Sequence, residues 1–464
     1  MTGFAEAVQV GDATVFVGAG ISRAAGLPNW DELINHAREE AQVPETLKDA
    51  PLAAEYISLV RGVGWLHGEV LRALDVTATI TPMHTTLVSL PVRDYWTTNY
   101  DNLVEEALEG HDAKFQRVVG EGDYSRQRAA SGSASKRVTK MHGSLKHPTS
   151  THVEWEQEPV ITRADFEEYE AKHPITWSRL RATWLTNSIL FLGFSFDDPN
   201  LNLLLRLSRS LPKGVDAPPH YAVFTAKDDL VEQKLQEFRI RDLKRSGVLV
   251  HEVGNHNDIE PLLSRLEVRC RPPMLFVSGS FKENTPNARE IAENIGAQLE
   301  SIEDPNFTIV SFGGDAGQVI SKQYRDALRA EAYRPEKIRF YYRKAKPGAQ
   351  ETIPVEHRVG MAIFTEKELD EMRAQVFPQV RSLILIGGGD RTADEVRIAR
   401  EQQIGVIPVA ASGGHAKEVW EATTPADQGL DGENAAELWE QLNSPQLALA
   451  SRAAVTLVHQ SMFT

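Results

Sequence analysis

Residues 14–23 read Thr-Val-Phe-Val-Gly-Ala-Gly-Ile-Ser-Arg, and this stretch decides how the N-terminal part of the chain is interpreted. The β-branched and aromatic run at 14–17 predicts a short strand, Gly18-Ala19-Gly20 predicts a tight turn, and a helix is expected after it. This arrangement presents backbone N–H groups at the helix start to a phosphate. The glycines are equally well explained by the tight connection alone, because glycine adopts conformations that other residues avoid.

Short apolar runs alternate with helical patterns through residues 12–253. The continuous apolar run at 188–194 is typical of a strand that helices cover on both faces. Thr162 is placed to cap a helix expected at 165–171. Further strands are predicted at 95–98, 138–141, 221–225 and 248–253. Alternation of this kind predicts a parallel, doubly wound sheet.

A double proline in Cys270-Arg271-Pro272-Pro273 ends a helical pattern and marks a domain boundary. After it the alternation starts again, with strands predicted at 274–277, 307–311, 383–386 and 406–409 and helices near 287–299, 316–330 and 393–402. We therefore expect the α/β fold class, with two Rossmann-like doubly wound domains over residues 1–270 and 271–464.

The composition narrows the function classes. A formal net charge of −15 argues against a nucleic-acid partner, because phosphate backbones are bound by basic surfaces. It leaves room for a local pocket that binds an anionic small molecule. The single cysteine, Cys270, excludes an intramolecular disulfide and fits a reducing cytoplasm. No signal peptide and no membrane-spanning segment are predicted, so we expect a cytoplasmic protein without a membrane partner.

Four motifs of the first domain each follow a predicted strand. They are Gly18-Ala19-Gly20-Ile21-Ser22, Thr98-Asn99-Tyr100-Asp101, His142-Gly143 and Gly193-Phe194-Ser195. The carboxyl ends of parallel strands meet at one edge of the sheet, where ligands bind in open α/β folds. Across roughly residues 10–255 these motifs resemble the NAD-binding signature of the sirtuin family, and more closely its bacterial defence branch.

The resemblance implies a site that cleaves NAD as its substrate. Asn99 would hold the nicotinamide ribose or the attacking water, and His142 would be the general base. Asp101 would bind the carboxamide side or brace the loop. The residues implied to line the diphosphate, the riboses and the adenosine half are Ala19, Gly20, Ser22, Gly193 and Ser195.

The chemistry requires these residue types. Breaking the glycosidic bond leaves an oxocarbenium-like ribose, so the site must orient the ribose and supply an activated nucleophile. Histidine titrates near neutral pH, and a positioned base accelerates a reaction by roughly 10²–10⁴-fold. An asparagine amide donates and accepts hydrogen bonds at once. Taken singly, Asn99 is also explained as a turn residue and His142 as a half-buried histidine; the neighbouring motifs favour catalysis.

One departure from the family changes the expected reaction. Sirtuins that deacylate proteins carry a four-cysteine zinc module, whereas this chain has no paired cysteines and no metal site is predicted. Asn29-Trp30-Asp31 also stands where deacylases carry an acidic-aromatic-basic run. These differences favour NAD hydrolysis to nicotinamide and ADP-ribose over the two alternatives, an NAD-dependent protein deacylase and a non-catalytic nucleotide-sensing scaffold.

The second domain has its own glycine motif, in which Gly387-Gly388-Gly389 separates a predicted strand from a helix. Glycines at this point let a phosphate approach backbone amides. The segment resembles the SLOG family of nucleotide-binding proteins. A sirtuin-like domain followed by a SLOG domain resembles the effectors of Thoeris antiphage defence, and the resemblance covers nearly the whole chain. It implies that the second domain binds a cyclic ADP-ribose isomer, made by a Toll/interleukin-receptor-type partner enzyme, and so activates NAD depletion.

The expected effector contacts combine glycines, hydroxyls, arginines for phosphates and a carboxylate for ribose hydroxyls. They are Gly279, Ser280, Arg325, Arg358, Gly388, Thr392 and Glu395, with Arg343 and Arg373 as alternatives to Arg358. Thr392 and Glu395 also have the spacing of a capping box, in which both side chains would satisfy backbone N–H groups at the helix start. The resemblance further implies a homo-oligomer, a tetramer or larger.

Overall fold

A computed structural model of the chain describes residues 1–111, 113–124, 136–146, 153–212, 217–282, 284–343, 359–430, 432 and 434–463. The chain divides into two compact units, residues 3–267 and 268–464. The division lies within the helix Ile259–Cys270, just ahead of the double proline that marks the predicted boundary.

The first unit is built on a seven-stranded sheet in which all neighbouring strands are parallel. The strands are β1 (Ala13–Val17), β2 (Asp94–Thr97), β3 (Phe115–Val118), β4 (Lys136–Lys140), β7 (Ser188–Leu192), β8 (His220–Thr225) and β9 (Val248–Val253), with β5 (Ser144–Leu145) and β6 (Trp155–Gln157) forming a separate antiparallel pair. The order across the sheet is β3-β4-β2-β1-β7-β8-β9. The chain leaves β1 toward one edge and later returns to its other side, which is the arrangement that opens a crevice at the carboxyl ends of the central strands.

The two central strands are apolar because both of their faces are covered. Every residue of β1 and of β7 is buried. On one face Phe16 stacks on Phe191, with ring centroids 5.3 Å apart, and Trp184 closes the same cluster. A continuous apolar run is the sequence pattern of a strand that is covered on both faces. Burial on both faces therefore explains why the two central strands are apolar throughout.

Several helices of the first unit begin at a side-chain cap. Asn29 accepts from the Glu32 N–H at 2.9 Å while the Glu32 carboxylate accepts from the Asn29 N–H at 2.8 Å, a reciprocal pair that starts the third helix. The helices are α1 (Thr2–Val10), α2 (Ala19–Arg23), α3 (Trp30–Glu40), α4 (Ala50–Arg61), α5 (Val63–Leu74), α6 (Pro82–Ser89), α7 (Leu103–Gly110), α8 (Arg163–Glu167), α9 (Tyr169–Lys172), α10 (Pro174–Thr186), α11 (Pro199–Arg209), α12 (Leu230–Arg245) and α13 (Ile259–Cys270).

The second unit repeats the plan with six parallel strands. They are β10 (Met274–Ser278), β11 (Thr308–Ser311), β12 (Ile338–Arg343), β13 (Met361–Thr365), β14 (Ser382–Ile386) and β15 (Gly405–Val409), in the order β13-β12-β11-β10-β14-β15. Its helices are α14 (Ala288–Gln298), α15 (Asp315–Ala327), α16 (Leu369–Val376), α17 (Asp390–Glu401), α18 (Gly414–Ala422), α19 (Ala435–Gln441) and α20 (Leu447–Phe463). The strand order again reverses beside the first strand of the sheet, β10, while all neighbouring strands remain parallel.

The predicted fold class, two α/β units on parallel Rossmann-like sheets, is confirmed, and the local differences have physical reasons. The strand predicted at 188–194 ends at Leu192 because Gly193 turns with φ of +64°. The helix predicted at 165–171 is two short helices, α8 and α9, and Thr162 caps the first as expected. Strands β3, β12 and β13 were not predicted, because their half-exposed positions dilute the apolar signal.

Candidate active site

Four neighbouring strands of the first unit carry the predicted motifs at one edge of the sheet. In the order β4, β2, β1, β7, these strands are followed within two residues by His142, Asn99, Gly18 and Gly193. The Met141 N–H donates to the Thr97 carbonyl at 2.9 Å, so the strand ends that precede Asn99 and His142 lie side by side. The fold therefore brings the predicted catalytic pair to the same edge of the sheet. The residues that follow β4, β2, β1 and β7 at this edge are called the rim below.

The glycines of the first turn are required by a close backbone contact. The Gly20 N–H donates to the Gly193 carbonyl at 2.9 Å. A Cβ built on Gly20 would lie 2.8 Å from Gly193 Cα, and one on Gly18 would lie 2.4 Å from Gly193 O. The turn after β1 thus packs on the turn after β7 without side chains between them. Ala19 and Ser195 are exposed beside this contact.

The Asn99 side chain is buried and held in one orientation by two hydrogen bonds. It is 8% exposed, and its Nδ2 donates to the Gly18 carbonyl at 3.1 Å and to Ser22 Oγ at 2.8 Å. These two bonds fix the orientation of the amide. Its Oδ1 is buried, and no described residue donates to it. A buried acceptor without a donor costs about 1–3 kcal/mol, so the structure keeps a strong acceptor ready for a ligand.

Asp101 braces the same rim. Its Oδ2 accepts from Ser22 Oγ at 2.8 Å and its Oδ1 accepts from the Leu103 N–H at 3.1 Å. Of the two roles implied by the resemblance, these contacts supply the bracing one, because they tie the start of α7 to α2. The chain Asn99–Ser22–Asp101 connects the loops after β1 and β2.

His142 is buried in an aromatic setting, with 3% of its surface exposed. Its ring meets Phe166 and Tyr169 edge-on, with centroids 5.1 Å and 6.0 Å away. Its Nε2 lies 3.2 Å from Oδ2 of Asp198, at an angle outside hydrogen-bonding geometry. Burial lowers the pKa of His142 below its ordinary value, the carboxylate of Asp198 opposes that shift, and His173 adds to it. The ring is therefore neutral near pH 7, the state that a general base requires.

A buried charge cluster behind the rim was not predicted from the sequence. Lys140 Nζ and Arg117 Nε lie 3.5 Å and 3.1 Å from Oε1 of Glu105, and Lys140 also donates to the Asp101 carbonyl. Arg117 Nη2 donates to Asn102 Oδ1 at 2.7 Å. These bonds hold the segment after Asn99 against β4. The charged residues of β3 and β4 gave no signal, because such residues are usually solvent-exposed.

The predicted glycine contacts of the second unit also converge at one edge of their sheet. Gly279 follows β10 with φ of +150°, and a Cβ there would lie 2.1 Å from the Ile386 carbonyl at the end of β14. The Gly388 N–H donates to the Ser280 carbonyl at 3.1 Å. Lys282, which the sequence analysis did not single out, lies over this loop, with Nζ 2.3 Å from the position of a Cβ on Gly389.

Thr392 and Glu395 lie in α17 beside these glycines, but they do not form the capping box considered above. The helix begins at Asp390, so Thr392 is its third residue, and Thr392 Oγ1 accepts from the Gly389 N–H at 3.3 Å. Glu395 is 9% exposed and accepts a hydrogen bond from Ser278 Oγ. Burial raises the pKa of Glu395, opposed by the Ser278 hydrogen bond and by the charge of Arg373.

Unlike the glycines, the predicted arginines do not all lie at this edge of the sheet. Arg325 lies in the last turn of α15 and pairs with Asp326, about 15 Å along the helix from the first turn, where the Ala316 N–H meets Gly279. Arg358 is outside the described residues. Arg343 pairs with Glu368. Arg373 is 3% exposed and pairs with Asp394 at 3.4 Å, and its charge, like that of Arg391, lowers the pKa of Glu395.

The part of the chain that the structure describes contains neither a metal-binding cluster nor a membrane-spanning helix. Across the described ranges, no group of three histidines, cysteines, aspartates or glutamates is arranged to hold a metal ion. Within those same parts of the chain, every helix is too short or too polar to cross a membrane.

Comparisons with known proteins show which proteins this chain resembles. A SIR2-like domain model matches residues 93–244, which include Asn99, His142 and Gly193. "NAD(+) hydrolase ThsA" of Bacillus cereus (strain MSX-D12) is 27% identical over 441 residues, covering 90% of this chain and 87% of the relative. The protein of the same name from Enterococcus faecium is 30% identical over 307 residues, 62% of each chain. A third, from Acinetobacter baumannii (strain 532279), is 27% identical over 432 residues, 88% of this chain and 86% of the relative.

An alignment over 441 residues extends through both units, and it combines with a first unit whose rim carries the SIR2-like motifs. The chain is thus similar to the proteins named NAD(+) hydrolase ThsA over most of its length, and to SIR2-like domains over residues 93–244.

Proposed function

We propose that the first unit hydrolyses NAD to nicotinamide and ADP-ribose, with Asn99 and His142 as its catalytic residues. The observation that carries the proposal is the Asn99 amide, whose Nδ2 is fixed by Gly18 and Ser22 while its Oδ1 is buried without a donor. An NAD ribose hydroxyl or a water is a donor of the right kind for that oxygen. The relatives named NAD(+) hydrolase support the same reaction.

The reaction divides between the two residues as follows. The bond between ribose C1′ and the nicotinamide nitrogen breaks, and its electron pair leaves with nicotinamide. Asn99 Oδ1 orients the ribose or the water as positive charge develops on the ring. The water oxygen forms the new bond to C1′, and His142 takes the water proton. The aromatic edges of Phe166 and Tyr169 keep bulk water from the base.

We further propose that Ala19, Gly20, Ser22, Asp101, Gly193 and Ser195 form the NAD-binding rim. The contact between the turns at Gly20 and Gly193 leaves bare backbone at the start of α2, where a diphosphate approaches most closely. Ala19 and Ser195 are exposed and so reachable by substrate, whereas Ser22 acts through its bonds to Asn99 and Asp101.

The direct test is product analysis with the full chain. Incubation with NAD should release nicotinamide and ADP-ribose in equal amounts, most rapidly once a cyclic ADP-ribose isomer is added. Addition of an acetyl-lysine peptide should not divert product to O-acetyl-ADP-ribose. Acetyl transfer would support the deacylase alternative, and NAD binding by calorimetry without nicotinamide release would support a non-catalytic scaffold.

For the second unit we propose a SLOG-type sensor site for a cyclic ADP-ribose isomer, supplied by a Toll/interleukin-receptor-type partner enzyme. Its contacts would be Gly279, Ser280, Gly388, Thr392 and Glu395. Support comes from the two positive-φ glycine turns that meet at the carboxyl ends of β10 and β14, with the Lys282 ammonium beside them for a phosphate. Ligand binding there would raise NAD hydrolysis in the first unit and deplete NAD in the cytoplasm during antiphage defence.

A homo-oligomer, tetrameric or larger, completes the proposal. Helix α12 supports it, because its apolar residues are unusually exposed: Leu230 by 78%, Val231 by 67%, Leu235 by 63% and Phe238 by 57%. The charged residues between them are of both signs and would be complementary between two copies of the same helix. Leu235→Glu should lower the molar mass measured by light scattering. Val10→Glu, at another exposed apolar position, should leave that mass unchanged.

A further inference from the structure

Asp198 uses its two carboxylate oxygens for two different purposes. Oδ1 accepts from the N–H groups of Asn200 and Leu201, at 2.8 Å and 3.1 Å, and so caps α11. Oδ2 lies 3.2 Å from Nε2 of His142. The Asp198 side chain is 8% exposed, so both interactions are shielded from water. The helix cap fixes the rotamer that points Oδ2 at the imidazole.

The topology of the sheet makes this contact unusual. His142 follows β4 and Asp198 follows β7, and the two strands are separated by β2 and β1. Three strand spacings of about 4.8 Å each amount to roughly 14 Å. The loop after β7 therefore reaches back over the ends of β1 and β2, which carry Gly18 and Asn99. Local sequence does not require such a contact, because a helix cap needs only the backbone that follows it.

We propose that Asp198 is a positioning residue for NAD hydrolysis, holding the proton of neutral His142 on Nε2 so that Nδ1 is the basic nitrogen. The inference rests on the proposed function and assigns a residue that the sequence motifs did not include. Because Nε2 faces the carboxylate, Nδ1 is the ring nitrogen left for the substrate side. At 3.2 Å and outside hydrogen-bonding angles, the contact is longer and less well aligned than a charge-assisted bond, but such contacts tighten and align when the substrate complex forms.

The electrostatics around His142 support the same role. The groups that face the ring are Asp198 on the loop before α11, His173 before α10, and the rings of Phe166 on α8 and Tyr169 on α9. The Tyr169 hydroxyl donates a hydrogen bond to the Met141 carbonyl at 3.0 Å. Asp198 is thus the anion that stabilises the imidazolium formed when His142 takes the water proton. Without it, burial and His173 both oppose that proton transfer.

A purely structural role for Asp198 makes a different prediction, and the chain offers a matched control. Asp229 caps α12 in the same way, accepting from the N–H groups of Val231 and Glu232 at 2.9 Å and 3.0 Å, but it is exposed and is not among the groups whose charge acts on His142. Asparagine is as good a helix cap as aspartate. Asp198→Asn and Asp229→Asn therefore both preserve a cap and remove a charge, and only the first removes it from the imidazole.

The first measurement is steady-state NAD hydrolysis by the full chain across pH, in the presence of the cyclic ADP-ribose isomer that activates it. Asp198→Asn should lower kcat by about 10²-fold or more, with KM for NAD changed by less than about threefold. The acid limb of its kcat/KM profile should move to lower pH, because loss of the carboxylate lowers the pKa of His142. Asp229→Asn should match the parent. Parent-like kcat and pH profile in Asp198→Asn, or an equal loss in Asp229→Asn, would overturn the proposal.

The second measurement separates this inference from the NAD reaction itself. Nitrogen NMR of the full chain labelled with ¹⁵N-histidine, with His142→Ala to assign the signal, reports which ring nitrogen carries the proton. The parent should show the Nε2–H form, and Asp198→Asn should titrate at lower pH. An Nδ1–H form, or identical titration of the two proteins, counts against Asp198 whether or not NAD is cleaved. An Nε2–H form without nicotinamide release would instead retain the pairing and reject the proposed reaction.

Discussion

Asn99 Nδ2 donates a hydrogen bond to Ser22 Oγ over 2.8 Å, and this contact joins residues that are 77 positions apart in the chain. Ser22 Oγ in turn donates a hydrogen bond to Asp101 Oδ2 at 2.8 Å, so the three side chains form a chain of hydrogen bonds that runs in one direction. Because the oxygen and nitrogen of an amide are held in one plane by the same carbon, fixing Nδ2 also determines where the unpartnered Asn99 Oδ1 points. The orientation of the candidate catalytic amide thus depends on a serine of the first motif.

Ser22→Ala should therefore impair catalysis more than stability. The change leaves the Asn99 Nδ2 with one acceptor, the Gly18 carbonyl, and frees Asp101 Oδ2. We expect a loss of about 1–2 kcal/mol in unfolding free energy and a fall in kcat of about 10-fold or more, because the amide can rotate. Ser58→Ala removes a local bond to the Glu55 carbonyl and is the control. Equal kcat values in the two variants would show that Ser22 does not orient the Asn99 amide.

Gly20→Ala should destabilise the first unit, since its Cβ would meet Gly193 backbone atoms at 2.8 to 3.2 Å. Separating the two turns costs about 1–3 kcal/mol and shifts the backbone at the start of α2. Gly68 in α5 has open space around it, so Gly68→Ala should be neutral or stabilising by up to about 1 kcal/mol. Thermal unfolding of both variants measures the contrast. A Gly20→Ala protein as stable as Gly68→Ala would show that the turns do not touch.

His220 should make the first unit sensitive to acid. Its ring packs on Trp184 at 4.0 Å, its Nδ1 accepts from the Ile189 N–H at 3.3 Å, and burial lowers its pKa from 6.5 to about 3. The folded pKa lies below the unfolded one, so the unfolded chain takes up the proton first. Stability is then fully present above pH 6.5 and falls toward pH 3, by at most about 1.4 kcal/mol per pH unit.

His220→Gln keeps an acceptor for Ile189 but does not titrate. Urea unfolding of the parent between pH 7 and 4 should show a steeper loss of stability than that of His220→Gln. His111→Gln, at an exposed histidine, should behave like the parent. Parallel stability profiles for the parent and His220→Gln would mean that the ring is protonated in the folded protein.

Lys282→Ala should weaken effector binding in the second unit. Lys282 Nζ lies against Gly389 in the glycine loop, where it would pair with a ligand phosphate. We expect an affinity loss of about 10-fold for a cyclic ADP-ribose isomer in calorimetry, together with weaker salt dependence. Lys417 on α18 pairs with Glu421 and provides the control, Lys417→Ala. Undiminished binding by Lys282→Ala would place the ligand elsewhere.

The central strands and the rim motifs of the first unit could be predicted because burial and glycine geometry leave direct marks in the sequence. An apolar run reveals β7, and Gly18 and Gly20 mark the tight turn after β1, although their contact with Gly193 emerged only from the structure. The pairing of His142 with Asp198 could not be predicted, since it depends on where the loop after β7 crosses the sheet. The buried Lys140–Glu105 pair was equally hidden, because such residues are normally found at surfaces.

In the second unit the triple glycine correctly marked the end of β14, whereas the helix start was placed too late. The capping-box spacing suggested that Thr392 was the cap, but the glycine conformation lets α17 begin at Asp390. The arginine contacts were the hardest to predict, because a long side chain can reach a site from many sequence positions. Arg373 is buried against Asp394 near Glu395, while Arg325 lies at the far end of α15.

The most direct test is the rate of nicotinamide release from NAD by the full chain carrying Asn99→Ala or His142→Ala, measured with the activating cyclic ADP-ribose isomer. Asn202→Ala and His111→Ala, at exposed positions, serve as controls for the same residue types. We predict a loss of about 10²-fold or more in kcat for each rim variant, with a cooperative unfolding transition that leaves the protein folded at the assay temperature, and parent-like release in both controls. Parent-like release by folded Asn99→Ala and His142→Ala would contradict it.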